Sequence, residues 1–146
     1  MKLLLQRVSQ ASVSVDGQEV GRIGRGILAL VGIERDDTEA QISKLTERML
    51  NYRLFADADG KTNLSVRDIS GGVLLVSQFT LAADTRRGLR PGFSLAAAPE
   101  LAESLYERML AQLCCETTVQ ISSGRFAADM QVSLINDGPV TFLLEG

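Results

Sequence analysis

The 146-residue chain contains no histidine, and this one absence closes off several kinds of catalysis. A Ser-His-Asp or Cys-His nucleophile cannot be assembled, and the usual side-chain base that titrates near pH 7 is missing. An enzyme built from these residues must work with carboxylates, a bound metal, backbone dipoles or a group lent by its substrate. Cysteine is nearly as scarce: Cys114 and Cys115 are the two present, side by side. Neighbours in sequence do not readily meet disulfide geometry, so no disulfide framework is expected and a reducing compartment fits. With no histidine and no third cysteine they complete no zinc site and read as small residues near a helix end.

Long apolar runs are missing as well. Nothing approaches the ~18 residues of a membrane helix, and Gln6 and Arg7 cut short the Leu3-Leu4-Leu5 run that a signal peptide would extend. The expected address is the cytoplasm. There is no surplus of positive charge: the net charge is −3 and the pI about 5.0, so no broad basic face announces a nucleic-acid binder. Basic residues concentrate locally at Arg86, Arg87 and Arg90, and at Lys2, Arg7, Arg22 and Arg25. Charge alone reads both groups as solvated surface.

What remains is an ordinary globular composition, 45% hydrophobic and 23% charged, at a length that suits one domain, residues 1–146, with a substantial core. Leu3–Val8 and the alternating Ala11–Val15 read as strands, and Asp16-Gly17 as a hairpin turn returning along Gln18–Ile23. Ile27–Ile33 and Gly72–Phe79 read as strands buried on both faces. Thr38 and Gln41 have capping-box spacing ahead of a helix ending near Leu50. A second helix starts at Pro99 with a stripe of Leu101, Leu105, Met109 and Leu113. Phe55–Ser65 reads as a polar loop. Met130–Leu134 and Val140–Leu144 read as strands around an Asn136-Asp137-Gly138-Pro139 turn. The expectation is a single α/β domain: two main helices on a curved, barrel-like, mostly antiparallel or mixed sheet.

Few segments carry chemistry. Asp57-Ala58-Asp59-Gly60 departs from calcium-loop spacing and reads as a turn. Gly21, Gly24 and Gly26 match no nucleotide fingerprint and read as turn and strand-start glycines. Ser77-Gln78-Phe79-Thr80 places three hydrogen-bonding side chains at the end of a buried strand, where sites often form, yet nothing in the chain activates Thr80 as a nucleophile. A metal site using Asp84 and Asp129 lacks ligand spacing. Gly138-Pro139 could hold a cis bond, though a turn is the simpler reading.

Taken together, Ser77-Gln78-Phe79-Thr80 and Asn136-Asp137-Gly138-Pro139-Val140-Thr141 resemble the two signature motifs of the D-aminoacyl-tRNA deacylase family. The similarity extends through Gln6-Arg7-Val8, Ala82-Ala83-Asp84-Thr85 and Gly124–Met130, and so spans essentially the whole chain. One departure is Gly92, where a small polar or acidic residue is expected, which would loosen its loop. The resemblance implies a homodimeric hydrolase that cuts the ester of D-aminoacyl-tRNA, and of glycyl-tRNA mischarged on tRNA-Ala, while sparing L-aminoacyl-tRNA. It implies that Ser77, Gln78, Phe79 and Thr80 receive the 3′-terminal adenosine and its aminoacyl group, with Phe126 and Met130 packed nearby. Gly138 and Pro139, joined by a cis bond and flanked by Asn136, would reach into the partner's pocket as the chiral filter, held across the interface by Arg7. No metal and no cofactor are expected, because the substrate's neighbouring 2′-hydroxyl and backbone N–H groups at Phe79 and Thr80 suffice. The alternative expectation is a non-catalytic nucleic-acid-binding protein of the same fold.

Overall fold

One long strand organises the sheet. In the computed structural model, which describes residues 1–86, 88–116 and 118–146, β1 runs from Lys2 to Val15. Arg87 of the basic loop lies outside the described residues. Reading two strands here misses a continuous one. The period-two phase changes between Val8 and Ala11, where the pairing of β1 with the C-terminal strand shifts register. An extra residue of this kind bends a strand without ending it.

Along one edge β1 pairs antiparallel with β2 (Gln18–Ile23) and then β3 (Gly26–Gly32). The turn at Asp16-Gly17, both residues with positive φ, makes the first hairpin as expected. Next come α1 (Glu39–Leu50), the short strands β4 (Phe55–Ala56) and β5 (Thr62–Leu64), and β6 (Gly72–Ser77). After β6 follow α2 (Pro99–Cys114), β7 (Gln120–Ser123) and β8 (Gln131–Glu145). Parallel pairs β3–β6 and β6–β7 are joined by crossovers containing α1 and α2, while β8 lies antiparallel along the other edge of β1. The sheet is therefore mixed. It curls until β7 reaches β2, where Ser122 Oγ and Gln120 Nε2 donate to the Arg22 carbonyl at 2.9 and 3.2 Å. The result is the nearly closed, barrel-like sheet with two helices that the hydrophobic patterning predicts.

Strands β3 and β6 are buried on both faces because the curl makes two cores. Ile27, Ala29, Val31, Val73 and Leu75 face the helices, meeting Leu45, Met49, Leu105 and Met109. Leu28, Leu74 and Val76 face inward onto Val8, Val13 and Ile23. Such strands read as continuous apolar runs rather than alternating ones. Close strand approach explains Gly26: a Cβ there would lie 1.9 Å from the Gly72 carbonyl oxygen. It and Gly21 sit inside strands, and of the three glycines only Gly24 occupies the turn.

Other expectations need correction. The Phe55–Ser65 loop contains the β4–β5 hairpin, with Phe55 fully buried. Asp57 builds its turn by accepting hydrogen bonds from the backbone N–H groups of Asp59 and Lys61 and from Asn63. Leu101 is exposed, and Tyr106 joins Leu105, Met109 and Leu113 on the buried face of α2. The Asn136–Pro139 segment is no hairpin turn but an interruption inside β8. Among the described residues, no helix is long and apolar enough to cross a membrane.

Candidate active site

The end of β6 delivers the first group of candidate residues. Gln78 N–H makes the last rung to Val31 O at 2.7 Å, and the chain then breaks into a 3₁₀ turn, Phe79–Ala82. The expected strand through Phe79 therefore stops at Ser77. Gly32 of β3 permits the break, since a Cβ there would lie 2.7 Å from Leu81 Cβ. The turn lifts the Phe79 ring out of the core to 61% exposure. Gln78 Nε2 donates to Thr80 Oγ1 at 2.6 Å, which leaves the Thr80 hydroxyl proton free to donate. The Phe79 and Thr80 N–H groups open the turn and make none of the backbone hydrogen bonds found among the described residues.

Beside this turn lies a cavity of about 430 Å³ lined by Ser77, Phe79, Ala102, Phe126, Ala128 and Met130, among others. Its walls are mostly apolar, suited to a small ligand with a few fixed polar contacts. Phe126 leans on Tyr106, with ring centroids 5.8 Å apart. The buried Tyr106 hydroxyl donates to Leu75 O at 3.0 Å, and burial pushes its pKa up to about 12. It is thus a fixed neutral support. Of the expected pocket residues, Ser77, Phe79, Phe126 and Met130 line this cavity and Gln78 and Thr80 do not, while the small residues of α2 that make room for it carry no signal in the sequence. Ala102 looks like any helix residue until its neighbours are known.

The second group lies elsewhere on the chain. Asn136 closes a small loop in β8: its Oδ1 accepts from Val140 N–H at 2.6 Å, and its Nδ2 donates to Thr141 Oγ1 at 3.0 Å. Arg7 grips this loop from within its own chain, donating from Nε to Asp137 O at 2.8 Å and from Nη1 to Leu54 O at 2.7 Å. The Gly138–Pro139 bond is cis, and Gly138 has φ +147°. A Cβ at Gly138 would meet Val140 Cγ2 at 2.6 Å, so only glycine fits.

The two groups do not meet inside one chain. Ser77 pairs with Val31, which pairs with Leu3, while Thr141 pairs with Gln6. Three strand spacings of about 4.8 Å and about four residue rises of 3.3 Å put the Gly-Pro loop roughly 20 Å from Ser77 along the sheet. The other candidates are separate again. Arg86 donates to Asp84 from its side chain and its backbone N–H, holding that carboxyl well below the usual carboxylate range. Asp84 and Gly92 exchange two backbone hydrogen bonds, so glycine at 92 does not release the loop. Among the described residues no three Cys, Asp or Glu side chains gather as a metal site. Cys114 and Cys115 are exposed free thiols at the end of α2.

A curled mixed sheet with a largely apolar cavity at the end of a central strand, in a chain without histidine, defines a protein with a small-ligand pocket. Similarity to known proteins makes this specific. Residues 4–145 match the family model described as D-Tyr-tRNA(Tyr) deacylase. The chain is 59% identical over 145 residues to the D-aminoacyl-tRNA deacylase of Citrobacter koseri, covering 99% of each. A solved structure described as c-Myc DNA Unwinding Element Binding Protein superposes with TM-score 0.95 at 43% identity, over 100% of this chain and 99% of that one. A probable eukaryotic D-amino acid tRNA deacylase shares the fold at TM-score 0.84 and 17% identity, over 98% and 97% of the two chains. The chain belongs to the D-Tyr-tRNA(Tyr) deacylase family, a family of hydrolases.

Proposed function

We propose that this protein is a cytoplasmic editing hydrolase that cleaves D-aminoacyl-tRNA, and glycyl-tRNA mischarged on tRNA-Ala, to free tRNA and amino acid. The supporting observation is the largely apolar cavity beside the Phe79–Thr80 turn, whose two N–H groups make none of the backbone hydrogen bonds among the described residues. The terminal adenosine and its aminoacyl group occupy this cavity. Water, oriented by the neighbouring ribose 2′-hydroxyl, attacks the ester carbonyl. The Phe79 and Thr80 N–H groups then meet the developing oxyanion, where one such donor is typically worth about 2.7–4 kcal/mol. Collapse breaks the ester C–O bond, and the ribose oxygen takes a proton.

The functional unit is a homodimer. The Gly-Pro loop lies roughly 20 Å from its own cavity by strand spacing and rise, a separation that supports its being supplied by a second copy. Exposed Leu134, Ile135, Phe142 and Leu143 along β8, on either side of the loop, are a surface for that second copy. Gly138 and Pro139 then present main-chain oxygens to the substrate's α-amino group. They crowd the side on which an L side chain must lie, while a D side chain points away and glycine offers nothing to exclude.

Complementation tests the composite site. Ala102→Trp fills the cavity, and Gly138→Val disables the loop. Each should be inactive alone, whereas mixed dimers should recover roughly a quarter of wild-type activity, since half are heterodimers with one intact site. No recovery, despite demonstrated subunit exchange, would place the whole site in one chain. The name of the 43% identical solved structure favours a second reading, a nucleic-acid-binding protein without activity. Failure of the pure protein to release amino acid from D-aminoacyl-tRNA would favour that reading.

A further inference from the structure

Next to the cavity is a second ring, Phe93, that the proposed ester cleavage does not use. Phe93 packs on Phe79 with ring centroids 5.1 Å apart and planes inclined at 46°. Both rings face solvent, Phe79 at 61% and Phe93 at 42% exposure. Large rings left in water forgo burial that a core position would give them. The intervening loop is nevertheless built to bring Phe93 back. Asp84 and Gly92 close its neck with backbone hydrogen bonds of 2.7 and 3.0 Å. Asp84 also takes Nε and Nη2 of Arg86 at 2.8 and 2.7 Å. Arg90 stands exposed on the same loop.

We infer that Phe93 is a stacking subsite for the nucleotide preceding the terminal adenosine, so that the enzyme grips the single-stranded 3′ end of tRNA and not the terminal nucleoside alone. This rests on the proposed deacylase activity. With the ester in the cavity, the substrate chain leaves past Phe79, and Phe93 is the aromatic surface in contact with that ring. An exposed aromatic pair on a loop that also carries an exposed arginine is a combination with which proteins hold single strands, the cation offsetting phosphate and the ring taking the base face. Stacking of this kind is indifferent to base identity, which suits a 3′ end shared by every tRNA.

The test compares D-tyrosyl-tRNA with D-tyrosyl-adenosine, the terminal nucleoside ester alone. Phe93→Leu keeps apolar volume but removes the π face. It should raise KM for the tRNA roughly 5- to 150-fold, the range that stacking of one base spans. Its kcat and its activity on the nucleoside ester should remain at wild-type levels, which also shows that the variant is folded. Phe93→Trp should restore KM. An equal loss on both substrates would mean that Phe93 merely props Phe79, and no loss on tRNA would mean that no base stacks there; either result overturns the inference. A wild-type protein inert on D-tyrosyl-tRNA would overturn the deacylase reading and this subsite together.

Discussion

Arg7 offers the sharpest separation of stability from function. Its side chain is 17% exposed and joins two segments through Asp137 O and Leu54 O. Arg7→Met keeps the stem and removes both donors. The Asp137 carbonyl lies at the surface and regains water, and the 3.5 Å ion pair with half-exposed Asp137 contributes little. Leu54 is fully buried, so loss of its partner leaves a carbonyl unsatisfied at about 1–3 kcal/mol, beside about 1 kcal/mol for the bond itself. A net cost of about 2–4 kcal/mol should lower Tm by about 4–16 °C for a chain of this size, measured at fixed protein concentration. The released loop should also lose its alignment, and kcat/KM on D-tyrosyl-tRNA should fall at least about 100-fold, the usual effect of a displacement near 1 Å. Arg7→Lys, which can satisfy one carbonyl, should fall between. If Tm drops while kcat/KM stays at wild-type level, the loop is held for stability alone and its proposed role is wrong.

Thr80→Val removes the hydroxyl but keeps the backbone donor, and should cost far less than the ~10⁶-fold seen when a true serine nucleophile is lost; a trapped acyl-enzyme on Thr80 would refute this. Activity should survive exhaustive chelation, given the missing histidine and the lack of gathered ligands among the described residues; loss on EDTA dialysis with return on adding zinc, tRNA folding being controlled, would contradict it. Asp84, Asp57, Asp68 and Glu47 are lowered chiefly by hydrogen bonds from Arg86, Asn63, Ser65 and Arg67 respectively. Their stabilising effect is fully present above the unfolded values near pH 4 and is lost only as pH falls through the lower folded values. Between about pH 6 and 9 the rate profile should therefore carry the substrate's α-ammonium inflection alone; a second inflection near 6.5, unmoved by a change of substrate, would mean that a protein side chain supplies the base.

Local signals were legible wherever a few neighbouring residues decide the structure. Asp16-Gly17 sets its turn alone, and the Thr38–Gln41 box is present, with Gln41 Oε1 accepting from Thr38 N–H at 2.9 Å. The double burial of β3 and β6 was visible as unbroken apolar runs. What stayed hidden depends on distant partners. β1 and β8 are continuous because each continues the other's ladder across its irregularities, and no window of either strand contains that fact. The parallel order β3–β6–β7 and the fit of Gly26 against Gly72 are likewise long-range. At the site, the two motifs were recognisable together, but not that Arg7 holds its own loop, nor that Ala102 lines the cavity, Tyr106 backs Phe126 and Phe93 packs on Phe79. Those residues acquire meaning only through packing.

Rejection of L-aminoacyl esters by a main-chain filter is the central claim, and one measurement addresses it directly. Initial rates of amino-acid release from D-tyrosyl-, L-tyrosyl- and glycyl-tRNA should be compared for the wild-type protein at equal substrate concentration. The D-tyrosyl and glycyl esters should be cleaved and the L-tyrosyl ester spared. Comparable rates on the two tyrosyl enantiomers, or a glycyl ester as resistant as the L form, would contradict the claim.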